Sequence, residues 1–342
     1  MRGYVEKLSQ FLLTWASSLR MQLGAVAASY ALGVDIFLGL RFIVGEQLVI
    51  VAAFNNGLQW LLSLNLLALL GILLFATDYK WFWVIYAVPG IIVFGVWYAP
   101  YLLPKTPPDL AENAVTFSVA TFNIAQIYSD GRVQVMDDLD ADILGLQELW
   151  SPQVIEYLGE KYPYSATTAD AKLYLYSRYP IREDETVVID DPEQLSRPVA
   201  QRSVVTINDQ NVSVYVMHPV RPEALIRPLK YDGSERKIGI DLVGEHIAAE
   251  ENPVLILCDC NLFQGTEDYE TLAGLLKDTW REIGWGFGWT SPASSHSYLM
   301  FARADYIWHS EAIQPVKIEV WSDAGGSDHR PVRAEMILDV AE

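Results

Sequence analysis

Residues 325–332 read GGSDHRPV, which sets a histidine directly after a carboxylate on a Gly-Gly turn. One Asp-His pair on a loop signifies little, so its partners matter. The sequence supplies candidates at the ends of apolar runs. Asn123 closes VTFSVATFN, Glu148 closes ILGLQE, His218 follows VSVYVM, and Asp259 and Asn261 close VLILCDCN. Asp305 opens DYIWH, and Asp328 and His329 precede a last apolar run. Turns favour such residues, and any one alone reads as a capping or surface side chain. As a set they have one chemical meaning. Carboxylate and amide oxygens are the hard donors that Mg²⁺, Mn²⁺ or Ca²⁺ prefers. A histidine oriented by a carboxylate is a general base or a proton donor, and Asn and His side chains can donate to phosphate oxygens. The chain has no nucleophile elbow and no P-loop. Water is therefore the expected attacking group.

These side chains need a scaffold. Runs rich in β-branched and aromatic residues predict strands over 115–124, 141–150, 172–180, 203–208, 212–219, 253–261, 302–309 and 332–338. Apolar residues at near-helical spacing predict a helix over 234–250, with Ser234 as its N-cap, and a second helix follows over 267–277. Strands outnumber helices and several follow in hairpin order, which points to mixed α/β with sheet packed on sheet. The two cysteines, Cys258 and Cys260, are separated by one residue. They are expected as small buried thiols, because a bridge there would close a very small strained loop.

Seven segments in order, TFNI, LQELW, YSRYP, MHPVRP, CDCN, RADYIW and GSDHRPV, make residues 115–339 resemble the endonuclease/exonuclease/phosphatase superfamily, the fold of deoxyribonuclease I. With hydrophobic segments ahead of the domain, the chain looks most like the bacterial membrane-anchored members. The resemblance implies a four-layer α/β sandwich, two packed sheets flanked by helices, with the site at one edge of both sheets. It implies that Glu148 is the principal metal ligand, with Asn123 beside it and Asp328 as a further metal-side or water-side ligand. Asp259 and Asn261 match the family's Gly-Asp-x-Asn, aligning the water or leaving group and touching phosphate. His218 would stabilise the phosphoryl oxygens, and Asp305 would orient His329, the catalytic histidine. The division of acid and base between Asp259 and His329 stays open. Arg178 is expected to support the strand ends of the site. Cys258 stands where the family has glycine, while the metal and acid–base positions keep their residue types, so an active enzyme is expected. His246, His296, His309 and the Gly/Trp-rich stretch 284–292 are expected to be structural, although that stretch could also form a rim toward lipid headgroups.

Composition divides the chain. Residues 1–103 carry five basic and four acidic side chains, whereas the rest carries 19 basic and 39 acidic ones. Uncharged stretches at 58–76 and 81–103 predict membrane spans, and a third is expected at 24–44, with 45–57 as a loop or interfacial segment. Residues 104–114 read as a Pro-rich linker and 115–342 as the catalytic domain. Three spans put Arg2, Lys7, Arg20 and Lys80 on one side, which the positive-inside rule makes cytoplasmic. The C-terminal domain is then extracytoplasmic, and a fourth span would reverse this. The expected function is metal-dependent hydrolysis of a small or lipid-borne phosphoester, with Mg²⁺, Mn²⁺ or Ca²⁺. A membrane-anchored nuclease is the alternative, but the acidic balance argues against a polyanion partner. A non-catalytic interaction module on the same fold is the third reading, and it predicts lost ligands.

Overall fold

A computed structural model describes residues 2–76, 79–108, 114–125, 131–168, 170, 172–189, 197–225, 230–292 and 302–338. His296 and part of the predicted linker lie outside the described residues. The chain divides into two compact units. One is Met1–Pro100 with Leu225–Tyr231, and the other is Tyr101–Ala224 with Asp232–Glu342.

The first unit is helical: α1 (Arg2–Val44), α2 (Val49–Asn56), α3 (Leu58–Phe75) and α4 (Lys80–Trp97). α1, α3 and α4 are long and apolar enough to cross a membrane by length and composition. Small residues let them approach closely. A Cβ on Gly71 would lie 2.9 Å from the Ala27 Cβ. Asn65, buried in α3, donates to the Ala87 carbonyl of α4 at 2.9 Å. The first helix begins far earlier than the predicted span at 24–44. Its 43 residues reach about 65 Å at ~1.5 Å per residue, against about 30 Å of hydrocarbon. Hydropathy marks only the most apolar part of α1. Helix geometry continues through EKLSQFLLTWASSLRMQ because no proline interrupts it.

The second unit holds two six-stranded sheets. The first comprises β1 (Val115–Asn123), β2 (Ile143–Gln147), β3 (Tyr164–Thr168), β4 (Leu173–Ser177), β13 (Ile313–Val320) and β14 (Val332–Leu338), in the order β13-β14-β1-β2-β4-β3. The second comprises β5 (Ile181–Ile189), β6 (Arg197–Ile207), β7 (Gln210–Met217), β10 (Val254–Asp259), β11 (Lys277–Asp278) and β12 (Asp305–His309), in the order β11-β12-β10-β7-β6-β5. A short pair, β8 (Glu223–Leu225) and β9 (Lys230–Asp232), stands apart. The sheets pack face to face through Val119, Ile143, Val214, Leu257 and Met336, among others. Gly145 marks how close they come, since a Cβ there would lie 2.8 Å from the Leu257 Cβ. The outer face of the first sheet is covered by α5 (Gly131–Leu139) and α6 (Pro152–Lys161), and that of the second by α7 (Ser234–Ala248) and α8 (Glu267–Ala273). The result is an α/β sandwich of four layers.

Register decides where the strands end. β1 and β2 run parallel, with Asn123 opposite Gln147. β7 and β10 run parallel, with Met217 opposite Cys258, and β12 is antiparallel to β10, with Asp305 opposite Asp259. The ends of these strands therefore converge on one edge.

Several local readings change. The helix predicted over 267–277 stops at Ala273, because Gly274 caps it and Lys277–Asp278 pairs with β12 instead. Ser234 is the first helical residue and Gly233 the cap; the Ser234 hydroxyl bonds Asp232. Cys258 and Cys260 are joined in a disulfide rather than free. A straight strand would hold such residues about 6.6 Å apart. Here the chain turns off β10 and the Cα atoms are 5.1 Å apart, within bridging range.

Candidate active site

The centre of the edge is Asp259, the last residue of β10, with its side chain buried. Its Oδ2 accepts from Asn123 Nδ2 at 2.8 Å and lies 3.5 Å from His218 Nε2 and 3.7 Å from His329 Nε2. Its Oδ1 accepts from the Asn261 amide at 3.2 Å. Glu148, just beyond β2, brings its Oε1 to 3.3 Å from Asn123 Nδ2 and 3.7 Å from His218 Nε2. Asp305 Oδ2 is 2.8 Å from His329 Nδ1, which leaves the other ring nitrogen facing Asp259. Asn261 donates its side-chain amide to the Pro219 carbonyl at 3.1 Å, tying the turn after β10 to the segment that carries His218. Glu148 (φ 56°) and Asn261 (φ 48°) both sit in the left-handed region. Such backbone collects at sites whose surroundings over-determine it.

Charge is distributed unevenly in this cluster. Burial opposes the charge on Asp259, but His329, His218 and the Asn123 amide hold its carboxyl below the ordinary value. Burial raises the Asp305 carboxyl, against the pull of His329. Burial disfavours the His329 imidazolium too, yet Asp305 and Asp259 outweigh it and push its pKa up to about 10. The arrangement at neutral pH is a carboxylate facing an imidazolium.

Asp259, Asp305 and His329 could together hold a metal ion by the spacing of their donor atoms. His329 Nδ1 and Asp305 Oδ2 already serve each other, however. The carboxylates of Glu148 and Asp259, which both accept from Asn123 Nδ2, are hard, acidic donors that suit a divalent cation, while Asn123 Oδ1 accepts from the Ala125 amide and would join them only if the amide turned over. The residues present therefore fit such an ion.

A profile of the Endonuclease/Exonuclease/phosphatase family matches residues 120–329, more than half of the chain. The chain belongs to this family. No curated protein matches it at a significant score. Solved structures with the same fold include an endonuclease/exonuclease/phosphatase family protein from Bacteroides thetaiotaomicron, at 17% identity and TM-score 0.55, covering 67% of this chain and 100% of that one. A mannosyl-6-phosphatase from the same organism aligns at 16% identity and TM-score 0.53, covering 65% and 100%. D. rerio TDP2 complexed with a single-strand DNA product aligns at 19% identity and TM-score 0.52, covering 65% and 98%. Endonuclease/exonuclease/phosphatase proteins hydrolyse phosphoester bonds.

Of the residues anticipated from sequence, Asn123, Glu148, His218, Asp259, Asn261, Asp305 and His329 meet at this edge. Asp328 lies exposed on the turn, outside the metal-spaced trio, because the step from residue 328 to 329 turns only the histidine inward. Arg178 is also elsewhere. It pairs with Asp140 and with Asp142 at the start of β2. β4 runs antiparallel to β2, with Ser177 opposite Ile143, so Arg178 is at the far end of β2 from Glu148.

Three supporting residues escaped the sequence reading. Ser327 donates its hydroxyl to the Asn123 carbonyl at 2.7 Å and accepts from the His329 amide at 3.1 Å, locking the turn onto β1. Thr290 Oγ1 accepts from the Ala304 and Asp305 amides at 3.1 and 3.3 Å, and its carbonyl accepts from the Arg330 amide at 2.8 Å. Arg236, buried in α7, pairs with Asp268 at 2.6 Å and donates to the Asn261 carbonyl at 2.7 Å. Ser327 was visible inside GSDHRPV. Thr290 and Arg236 are distant in sequence and carry no local signal.

Proposed function

We propose that the chain is a membrane-anchored, divalent-metal-dependent phosphoesterase acting on a small or lipid-borne phosphate ester. The observation that carries this is the closed set of contacts from Asn123 through Asp259 and His329 to Asp305, with Glu148 and His218 alongside. Glu148 and Asn123 are assigned to hold Mg²⁺, or Mn²⁺ or Ca²⁺. When bound, the ion neutralises phosphate charge and stabilises the charge that develops during displacement. Asp259 orients a water toward phosphorus and accepts its proton as the new P–O bond forms. His218 and Asn261 donate toward the phosphoryl oxygens. His329, kept cationic and oriented by Asp305, stabilises the same oxygens and gives a proton to the departing alkoxide. The strongly acidic catalytic unit favours a small or lipid substrate over a nucleic acid.

In this reading α1, α3 and α4 are membrane spans. Lys80, at the start of α4, then shares a side with the basic N-terminal end of α1, which the positive-inside rule makes cytoplasmic, and the catalytic domain is extracytoplasmic. The test uses the full chain in detergent with bis-p-nitrophenyl phosphate. Turnover with Mg²⁺ or Mn²⁺ should stop with EDTA and fall by at least about 100-fold in His329→Ala. Folded protein that turns over nothing with any of the three metals, or an unimpaired His329→Ala, would reject the assignment.

A further inference from the structure

Basic side chains in the catalytic unit are largely paired with carboxylates. Arg202 pairs with Glu250, Arg236 with Asp268, Arg303 with Asp278, and Lys161 with Asp137. Several cations do not follow this pattern. Lys105 reaches the Trp280 and Arg281 carbonyls, and Arg182 the Thr206 hydroxyl at the hairpin end of β6 and β7, far from His218. Lys172, Arg221 and Arg330 have no carboxylate partner among the described residues. In a chain with a net charge of −19, cations without a carboxylate partner are conspicuous, and Lys172, Arg221 and Arg330 all lie on segments that adjoin site residues.

Each belongs to a different segment of the rim. Lys172 precedes β4, and its carbonyl accepts from the Leu149 amide, next to Glu148. Its Nζ lies 4.6 Å from the ring centroid of Trp150, a side chain that is 45% exposed two residues beyond Glu148. Arg221 is exposed three residues after His218, on the segment that Asn261 holds through the Pro219 carbonyl. Arg330 directly follows His329, with its backbone anchored to Thr290. Two segments that carry a site residue, and a third hydrogen-bonded next to Glu148, thus each hold a cation with no carboxylate partner among the described residues. The scissile phosphate already has Asn261, His218 and His329 to receive it.

Building on the phosphoesterase reading, we infer that Lys172, Arg221 and Arg330 recognise a second anionic group on the substrate, beyond the phosphate that is cleaved. The preferred substrate class is then a phosphoester with an additional phosphate or comparable anion. Charge-assisted hydrogen bonds from a planar guanidinium or an ammonium suit such a group. Their placement at the rim also gives an acidic protein a local field that draws an anion to the site.

The test reads binding, so it does not depend on turnover. Calorimetry on the full chain in detergent compares thymidine 3′,5′-bisphosphate with thymidine 5′-phosphate. The bisphosphate should bind roughly tenfold tighter, the size of one charge-assisted hydrogen bond. The combined variant Lys172→Gln, Arg221→Gln, Arg330→Gln should reduce that ratio to about twofold or less while leaving the monophosphate affinity unchanged. Arg221→Gln alone, at an exposed position, provides a variant with little risk to folding, and it should lower the ratio in part. Repeating the measurement in nanodiscs separates the sources of the anion. If phosphatidylglycerol weakens bisphosphate binding relative to phosphatidylcholine, and only in the parent protein, the second anion comes from a lipid headgroup. If both membranes give the same ratio, it belongs to the soluble substrate. Equal affinity for the two nucleotides, or a ratio that survives the combined substitution, would overturn the inference. Absence of phosphodiester turnover alongside an intact ratio would instead count against the phosphoesterase reading.

Discussion

His329 is held between two carboxylates, bonded to Asp305 at 2.8 Å and 3.7 Å from Asp259. Burial of the ring works against its proton, and the carboxylates restore it, so the pKa rises to about 10. The sign of a test follows. Asp305→Asn removes one of the groups that raise the value and leaves burial less opposed, so the imidazolium must lose its proton at lower pH. The alkaline limb of the pH–rate profile should move down, and kcat should fall by about 10²–10⁴-fold, the usual range for a disrupted acid–base group. A profile with an unmoved alkaline limb would show that Asp305 does not control the charge of His329 during turnover. Side chains anticipated at the ends of buried strands are brought together at one edge. Arg178 adjoins a site-like segment in sequence but pairs with Asp140 and Asp142 at the far end of β2, and Asp328 is exposed on the turn beside His329.

Strands place the site, and their spacing depends on what lies between the sheets. Gly145 in β2 faces Leu257 in β10, two residues before Asp259. Even a methyl group there would lie 2.8 Å from the Leu257 Cβ. Gly145→Ala should therefore cost about 1–3 kcal/mol through overpacking, measured as a lower urea midpoint at unchanged m-value. A neutral outcome would mean that the sheets can separate without loss. Runs of β-branched and aromatic residues revealed β1, β2, β4, β7, β10, β12 and β14 because most of their residues are buried. β5 stayed hidden because REDET leaves most of its residues exposed, and β13 because it mixes charged and proline residues at the edge of its sheet. α5 and α6 were missed as well, since short helices with many polar residues give weak periodicity.

At the scale of the molecule, the start of the second unit is fastened by a buried network. Arg303 donates to both oxygens of Asp278 at 2.8 and 2.5 Å and to the Tyr101 hydroxyl at 3.1 Å. Lys105 reaches the Trp280 carbonyl at 3.3 Å and the Arg281 carbonyl at 2.5 Å. Burial opposes the Asp278 charge, but Arg303 and the Tyr269 hydroxyl hold its carboxyl below the ordinary value. A depressed carboxyl stabilises the fold fully above its unfolded pKa, about 3.9, and that contribution disappears as pH falls through the folded value. Asp278→Asn should cost roughly 3–5 kcal/mol at pH 7, because it strands a buried guanidinium. The gap from the parent protein should narrow below about pH 4, as read from urea midpoints by tryptophan fluorescence. A gap that stays constant from pH 7 to 3 would show that the Asp278 charge does not carry the effect, since an Asn there can still accept from the Trp280 and Arg281 amides.

What the sequence determined by itself was chemical and modular. Hydropathy separated an apolar helical segment from an acidic α/β portion, because burial and charge are properties of composition over windows of many residues. Polar residues at the ends of apolar runs singled out Asn123, Glu148, His218, Asp259, Asn261, Asp305 and His329 as candidates, because a buried strand tolerates such side chains mainly at its ends. The tertiary structure alone decided which of those ends meet. Parallel pairing of β1 with β2 and of β7 with β10, and antiparallel pairing of β12 with β10, bring them to one edge. The same pairing carries Arg178 to the opposite end, and the turn after β10 closes Cys258 onto Cys260. Register, strand direction and backbone handedness arise from contacts between distant segments, so no local pattern encodes them.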